Sequence, residues 1–263
     1  MLDQWLTWQP LDPCPYGKFS VIHVDQLADL KLPVREHLVD LIIQAKFSSS
    51  FLIRMQKRLS WDAIRTQLIA QTVPTQARAK RGEFGEILVS AVLQRFAGYS
   101  IPVPKLWFQL TSGQSLPATD ALAIKVDNTG NIVEVCYVES KLRIPTDNSA
   151  AVQAAKQLTD DTAVLIPDIL RFVANMLDLK GSPLADPFAD YLADRADTRD
   201  KETYCIGLCW ERSSWNDRVL SNLDEDDCHL NRLSVSVIRI DQLETLTDEL
   251  FRAIGITEIE DDD

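Results

Sequence analysis

Three side chains within residues 118–141 could act on a phosphate: Asp120, then Glu139 after a gap of 18 residues, and Lys141 two positions on. Two carboxylates held close repel, and one pKa rises unless positive charge sits between them. A hard divalent cation bound through oxygen meets that need, and Mg²⁺ does so with few carboxylates while keeping its waters. Such an ion activates a water and stabilises charge that develops on a phosphate. Lys141 is placed to position or deprotonate that water, or to hold the phosphate charge. The chemistry suggested is phosphodiester hydrolysis, with Mg²⁺ as cofactor or Mn²⁺ in its place.

The stretch that carries these residues reads as a β-hairpin. Both halves are rich in β-branched and aliphatic residues, and Asp127-Asn128-Thr129-Gly130-Asn131 between them are turn formers. Glu139 and Lys141 are two apart, so they project to one face of their strand. With the turn centred between Thr129 and Gly130, Asp120 falls opposite Glu139, with Cβ atoms about 4.5–5.5 Å apart. A slip of one residue would turn Asp120 to the other face, and the sequence leaves both registers open. Val135 to Val138 are apolar on both faces, as in a central strand, so charges at 139 and 141 are costly there without a purpose.

Upstream, the spacing predicts a helix over residues 78–98, with Phe84, Leu88, Ala91, Val92 and Arg95 on one stripe, Ile87 beside it, and Gly98 as its stop. Glu83 and Glu86, three apart near its start, are neighbours on the helix surface. Acids in a first turn also complement the helix dipole, which is the simpler reading of these two taken alone.

The chain has 263 residues, 46% apolar and 25% charged, the profile of a soluble globular protein with one large domain or a domain and an appendage. No run reaches the roughly 18 apolar residues of a membrane span, and the N-terminus lacks the basic start of a signal peptide. Five irregularly spaced cysteines favour a reducing cytoplasm. The expected organisation is an N-terminal region, 1–74, packed on a core at 75–263 that ends in an acidic tail, Glu258 to Asp263. A strand at 18–24 includes His23 as a packed residue, and an amphipathic helix follows at 33–47. Residues 46–81 hold eight basic side chains against one acid, Asp62, in a chain of net charge −12. Such a segment could grip a nucleic-acid backbone, or form a solvated helix surface that docks on the acidic remainder, with equal weight. Further expectations are a short strand over 101–103 and 106–110, helices at 147–158, 163–177, 183–192 and 242–254, and strands at 203–210 and 233–240. Cys205, Cys209, Cys228 and His229 invite a zinc reading. On a strand, however, residues 205 and 209 lie about 13 Å apart, too far to share an ion, and core cysteines fit better.

An Asp on one strand and Glu-Ser-Lys on the next resembles the PD-(D/E)XK nuclease superfamily, although Thr119 stands where a Pro is common. The resemblance implies an α/β restriction-endonuclease-like core, a central mixed β-sheet flanked by helices. Gly82-Glu-Phe-Gly-Glu86 looks like the superfamily helix whose Glu completes the acidic cluster, which favours Glu86 over Glu83. In some branches a Gln on the helix after the motif supports the site. Gln153 and Gln157 lie there, but the companion Tyr four residues on is absent and neither is assigned.

The chain length, the Arg81-Gly-Glu-Phe-Gly-Glu86 helix and the Thr119-Asp-Ala-Leu122 and Val138-Glu-Ser-Lys141 strands are similar to the HamA effectors of bacterial Hachiman anti-phage systems. That likeness implies a DNase working with a superfamily 2 helicase, HamB, which restrains it and releases it during infection. It would give Asp120 and Glu139 to the metal, Lys141 to the water and Glu86 to the helix acid. Two other readings stand beside it: a catalytically silent nuclease-fold subunit that binds DNA or a helicase, and a restriction or repair nuclease outside defence.

Overall fold

In the computed structural model, residues 1–108, 119–164, 166–195, 199–226 and 230–255 are described. The strands are β1 (Gln9–Pro10), β2 (Phe19–Asp25), β3 (Ala121–Val126), β4 (Ile132–Arg143), β5 (Glu202–Glu211) and β6 (Leu233–Ile240). They form one six-stranded sheet in the spatial order β1-β2-β6-β5-β4-β3. The four inner strands run parallel, and β1 and β3 are antiparallel edges. The fold is therefore α/β with a mixed central sheet, as the superfamily resemblance implies. Across the β2–β6 ladder, Asp25 and Arg239 are paired residues and form a two-pronged ion pair at 2.7 and 2.6 Å.

Helices cover both faces: α1 (Leu32–Lys46), α2 (Ser49–Gln56), α3 (Trp61–Ile64), α4 (Ala77–Ala97), α5 (Ala150–Val164), α6 (Ile166–Leu179), α7 (Ala185–Ala193), α8 (Arg218–Glu225) and α9 (Leu243–Gly255). The sheet divides two hydrophobic cores. On one side α1, α4 and α9 pack over Cys136, Val138 and Leu142. On the other, α5 to α8 pack over Val135, Tyr137, Ile206 and Leu208. This explains why residues 135–138 are apolar in succession: each alternate side chain meets a different core. Cys205 and Cys209 are free thiols buried in the first core, as expected, while Cys228 and His229 lie outside the described residues.

The helix expected at 78–98 is α4, and Gly98 ends it in the left-handed conformation (φ +72°), where a residue without Cβ costs least. Its burial is greater than its stripe suggests. Glu83 to Val89 are buried all round, because the sheet lies beneath and α1 and α9 flank it, whereas Arg95 turns outward to Asp3 at 2.9 Å. Gly207 in the middle of β5 makes the close approach possible. A Cβ there would lie 2.3 Å from a methyl of Val89.

Over its described residues, 101–103 and 106–108, the expected strand does not form. Only a single bridge joins Ser100 to Ile124, and Lys105–Phe108 is a 3₁₀ turn, since Pro102 and Pro104 offer no N–H to a ladder. The rest of that stretch, the expected loop 111–117 and Ala118 lie outside the described residues, as does the acidic tail. The helix expected to begin at 163 begins at Ile166, and α5 runs on to Val164. β1 and α8 are additional, too short to leave a periodic signal. Within the basic segment, several side chains turn to the chain itself. Lys80 meets Asp248 at 3.4 Å, Arg81 pairs with Glu244, Arg65 donates to the Ala253 carbonyl, and Lys46 is buried against Glu83. Arg54, Lys57, Arg58 and Arg78 are exposed. No helix among the described residues is long and apolar enough to cross a membrane.

Candidate active site

The β3–β4 ladder pairs Ala121 with Val138, which places Asp120 opposite Glu139, and the Asp120 amide donates to the Val138 carbonyl at 2.9 Å. This is the register that lets Asp120 join Glu139 and Lys141. β3 begins at Ala121, while β4 continues to Arg143, so among the described residues the end of β4 has β5 on one side and no strand on the other. The Asp120 carboxylate fills that gap. Its Oδ2 accepts from the Ser140 backbone N–H at 2.8 Å and from the Ser140 hydroxyl at 2.7 Å. A backbone donor without a ladder partner is thereby satisfied by the side chain that the sequence singles out.

Glu139 and Lys141 share the face covered by α5. Lys141 Nζ donates to Glu139 Oε1 at 2.5 Å and to Gln157 Oε1 on α5 at 3.1 Å. Glu139 is only 2% exposed, and its other oxygen, Oε2, is buried with no hydrogen-bond partner. Burial, then the negative charge of Asp120, push the Glu139 carboxyl up to about 7, with Lys141 opposing them. A buried carboxylate oxygen left unpaired is expensive, and a cation is one of the few groups that relieves it.

Glu86 reaches the same place from α4, on the other side of the sheet. Gly85 beside it lies against β4, where a Cβ would be 3.1 Å from that of Leu142. Burial pushes the Glu86 carboxyl well above its ordinary value, and the charge of Asp120 adds to this, with smaller additions from Glu83 and Glu139. Lys105, from the 3₁₀ turn, opposes the shift in both Glu86 and Glu139 and lies 3.4 Å from Asp120 Oδ1. Glu86, Asp120 and Lys105 line one cavity of about 240 Å³, walled by α1, α4 and residues 101–107.

Thus Asp120, Glu139, Lys141 and Glu86 are brought together, and Glu83 is directed elsewhere. Its carboxylate lies 2.6 Å from Lys46 Nζ, both side chains nearly fully buried, and Lys46 also donates to the Thr72 carbonyl. Two members of the site escape the sequence reading. Lys105 lies in an irregular Pro-flanked stretch with no periodicity to mark it. Gln157 carried a signal, its place on the helix after the motif, which the missing Tyr had set aside.

All six residues of this cluster, from Glu86 to Gln157, fall within residues 20–254, which match the family model described as HamA. The chain belongs to the HamA family. It is also similar to the Hachiman protein HamA of Bacillus cereus, 33% identical over 108 residues, which take in 41% of this chain and 37% of that protein. The match to that HamA protein therefore spans little more than a third of the relative's own length.

Proposed function

We propose that this HamA-family chain is a metal-dependent DNA nuclease, the effector subunit of a cytoplasmic Hachiman anti-phage defence complex that acts with a helicase partner. The observation that carries the proposal is the convergence of Glu86, Asp120, Glu139 and Lys141 where β4 outruns β3. The family match and the likeness to a Hachiman protein support the defence setting. The resemblance to the PD-(D/E)XK superfamily supports DNA, and the likeness to the HamA effectors supports the helicase.

The donor set suits Mg²⁺ or Mn²⁺, since it consists of carboxylate oxygens, one of them buried and unpartnered. Among the described residues no group of three or more His, Cys, Asp or Glu side chains is placed to hold a metal ion as it stands. Asp120 and Glu139 would hold the ion, with Glu86 as the third acid, and the remaining positions suit water and phosphate oxygens. Glu83, held by Lys46, is the less suited of the two helix acids. When bound, the ion would polarise a phosphate oxygen and lower the pKa of a water. Lys141, anchored by Glu139 and Gln157, orients that water, and Lys105 offers a second positive charge to the phosphate. The water oxygen bonds to phosphorus as the bond to the leaving sugar oxygen breaks, and that oxygen takes up a proton.

Nicking of supercoiled plasmid with Mg²⁺ or Mn²⁺ tests this. Glu139→Ala and Lys141→Ala should each lower cleavage about 10²–10⁴-fold with the fold intact by circular dichroism. Cleavage that survives both substitutions would place the chemistry elsewhere. The two ammonium groups within the acid cluster favour one other reading, a silent subunit. Binding of DNA or partner without cleavage under any divalent cation would select it.

A further inference from the structure

A second groove, of about 800 Å³, adjoins the acid-lined cavity; the corner between α1 and α2 is their common wall, and Trp107 lines both. Four half-buried aromatic rings, Phe47, Phe51, Trp107 and Phe108, line it beside Met176 and Leu179, and Phe172 backs it. Phe47 and Phe51 stack with centroids 5.8 Å apart, and Phe108 meets Phe172 edge to face at 4.7 Å. Trp107 is fixed by its indole N–H, which donates to the Gln44 carbonyl at 2.9 Å, and Lys180 Nζ lies 3.7 Å over its ring. The groove is also one-sided in charge. Arg54 and Lys180 line it, and no acid does among its described residues, in a chain of net charge −12. The third cation there, Lys46, is matched by Glu83.

We propose that this groove holds the unpaired bases of a single DNA strand and leads its backbone to the acid cluster. The inference rests on the nuclease reading and names its substrate as single-stranded. Aromatic faces at a groove surface, here half-buried, stack on bases of any sequence, and flanking cations follow the backbone. In a duplex the base faces are already covered by their neighbours, so such a surface selects strand over duplex. Trp107 belongs to both cavities, so a base seated on it sets the adjoining phosphate towards Lys105 and Asp120.

The test is fluorescence anisotropy of the full chain with a labelled oligothymidylate and with a blunt duplex of equal length, in chelator so that nothing is cut. The expected result is tighter binding of the single strand by at least about tenfold. Trp107→Leu and Arg54→Glu should each weaken strand binding about tenfold, close to 1.4 kcal/mol. Arg54→Glu should also flatten the dependence on salt, which Trp107→Leu leaves unchanged, because only the cation releases counterions. Arg218→Glu, exposed on α8 and not among the residues lining the groove, should bind as the wild type does. Equal affinity for duplex and strand, or full strand binding by both groove variants when folded, overturns the proposal. Variants that bind the strand normally but lose a co-expressed protein partner would also overturn it, making the groove a protein interface. Plasmid cleavage abolished by Glu139→Ala while the groove variants bind normally would sink the groove and leave the nuclease standing.

Discussion

Glu139 sits where a proton is more comfortable than a charge, and the consequence is measurable as stability. Its carboxyl titrates near 4.5 in an unfolded chain and at about 7 in the fold, so the folded state holds a proton that the unfolded state releases. The stabilisation is complete below pH 4.5 and is lost as pH rises to about 7, an effect on the order of 3 kcal/mol. Thermal melts in chelator should therefore show stability falling across that window, and Glu139→Gln should reduce the slope. A slope unchanged in the variant would place the titration on another group. At this scale the sequence was informative where strand geometry governs. Glu139 and Lys141 share a face because strand side chains alternate, whereas the register that brings in Asp120 depends on a shift in the β3–β4 pairing between Lys125 and Val126, which the turn residues 127–131 did not disclose. Lys105 was illegible because its position depends on a Pro-flanked turn that only the tertiary fold places beside Asp120.

Among the elements, α4 decides whether the helix acid reaches the strand acids. Two glycines bring it close: Gly85 against Leu142, and Gly207 of β5 against Val89. Gly207→Ala should destabilise by ~1–3 kcal/mol through overpacking, and should also lower cleavage by lifting Glu86 from the sheet. Chemical denaturation and the plasmid assay read the two effects. Val89→Ala in the same chain should restore much of both, since the atoms that a new Cβ meets are the branched end of Val89. If Gly207→Ala is as stable and as active as the parent, the close approach is not what positions Glu86. The helix itself was evident from its apolar spacing and from Gly98. Its burial on every side was not, because it comes from α1 and α9, which lie far away in sequence. The segment after it misled for a related reason: apolar residues at 101–110 suggested a strand, while Pro102 and Pro104 withhold the donors that a strand needs.

For the whole molecule, the sheet joins the two ends of the chain, since β2 lies beside β6 although more than 200 residues separate them. No local pattern announces such a pairing, whereas the hairpin and the strands at 203–210 and 233–240 were each readable from short runs, and the α/β class came with the superfamily resemblance. The net charge of −12 likewise hid the use of the basic segment, part of which is consumed by α9 through Lys80 and Arg81. The cluster of Glu86, Asp120, Glu139, Lys105 and Lys141 carries a last consequence. The two lysines are partial counter-ions for the three acids, from which we expect the fold to hold without metal as a structural strut. Chelator should abolish cleavage while leaving a cooperative melt and the native circular dichroism spectrum. Collapse of the spectrum on chelation would instead make the ion part of the scaffold. On the proposed reading, such a protein would fold in full before any cation or strand arrives, and its chemistry would wait on those two rather than on a structural rearrangement.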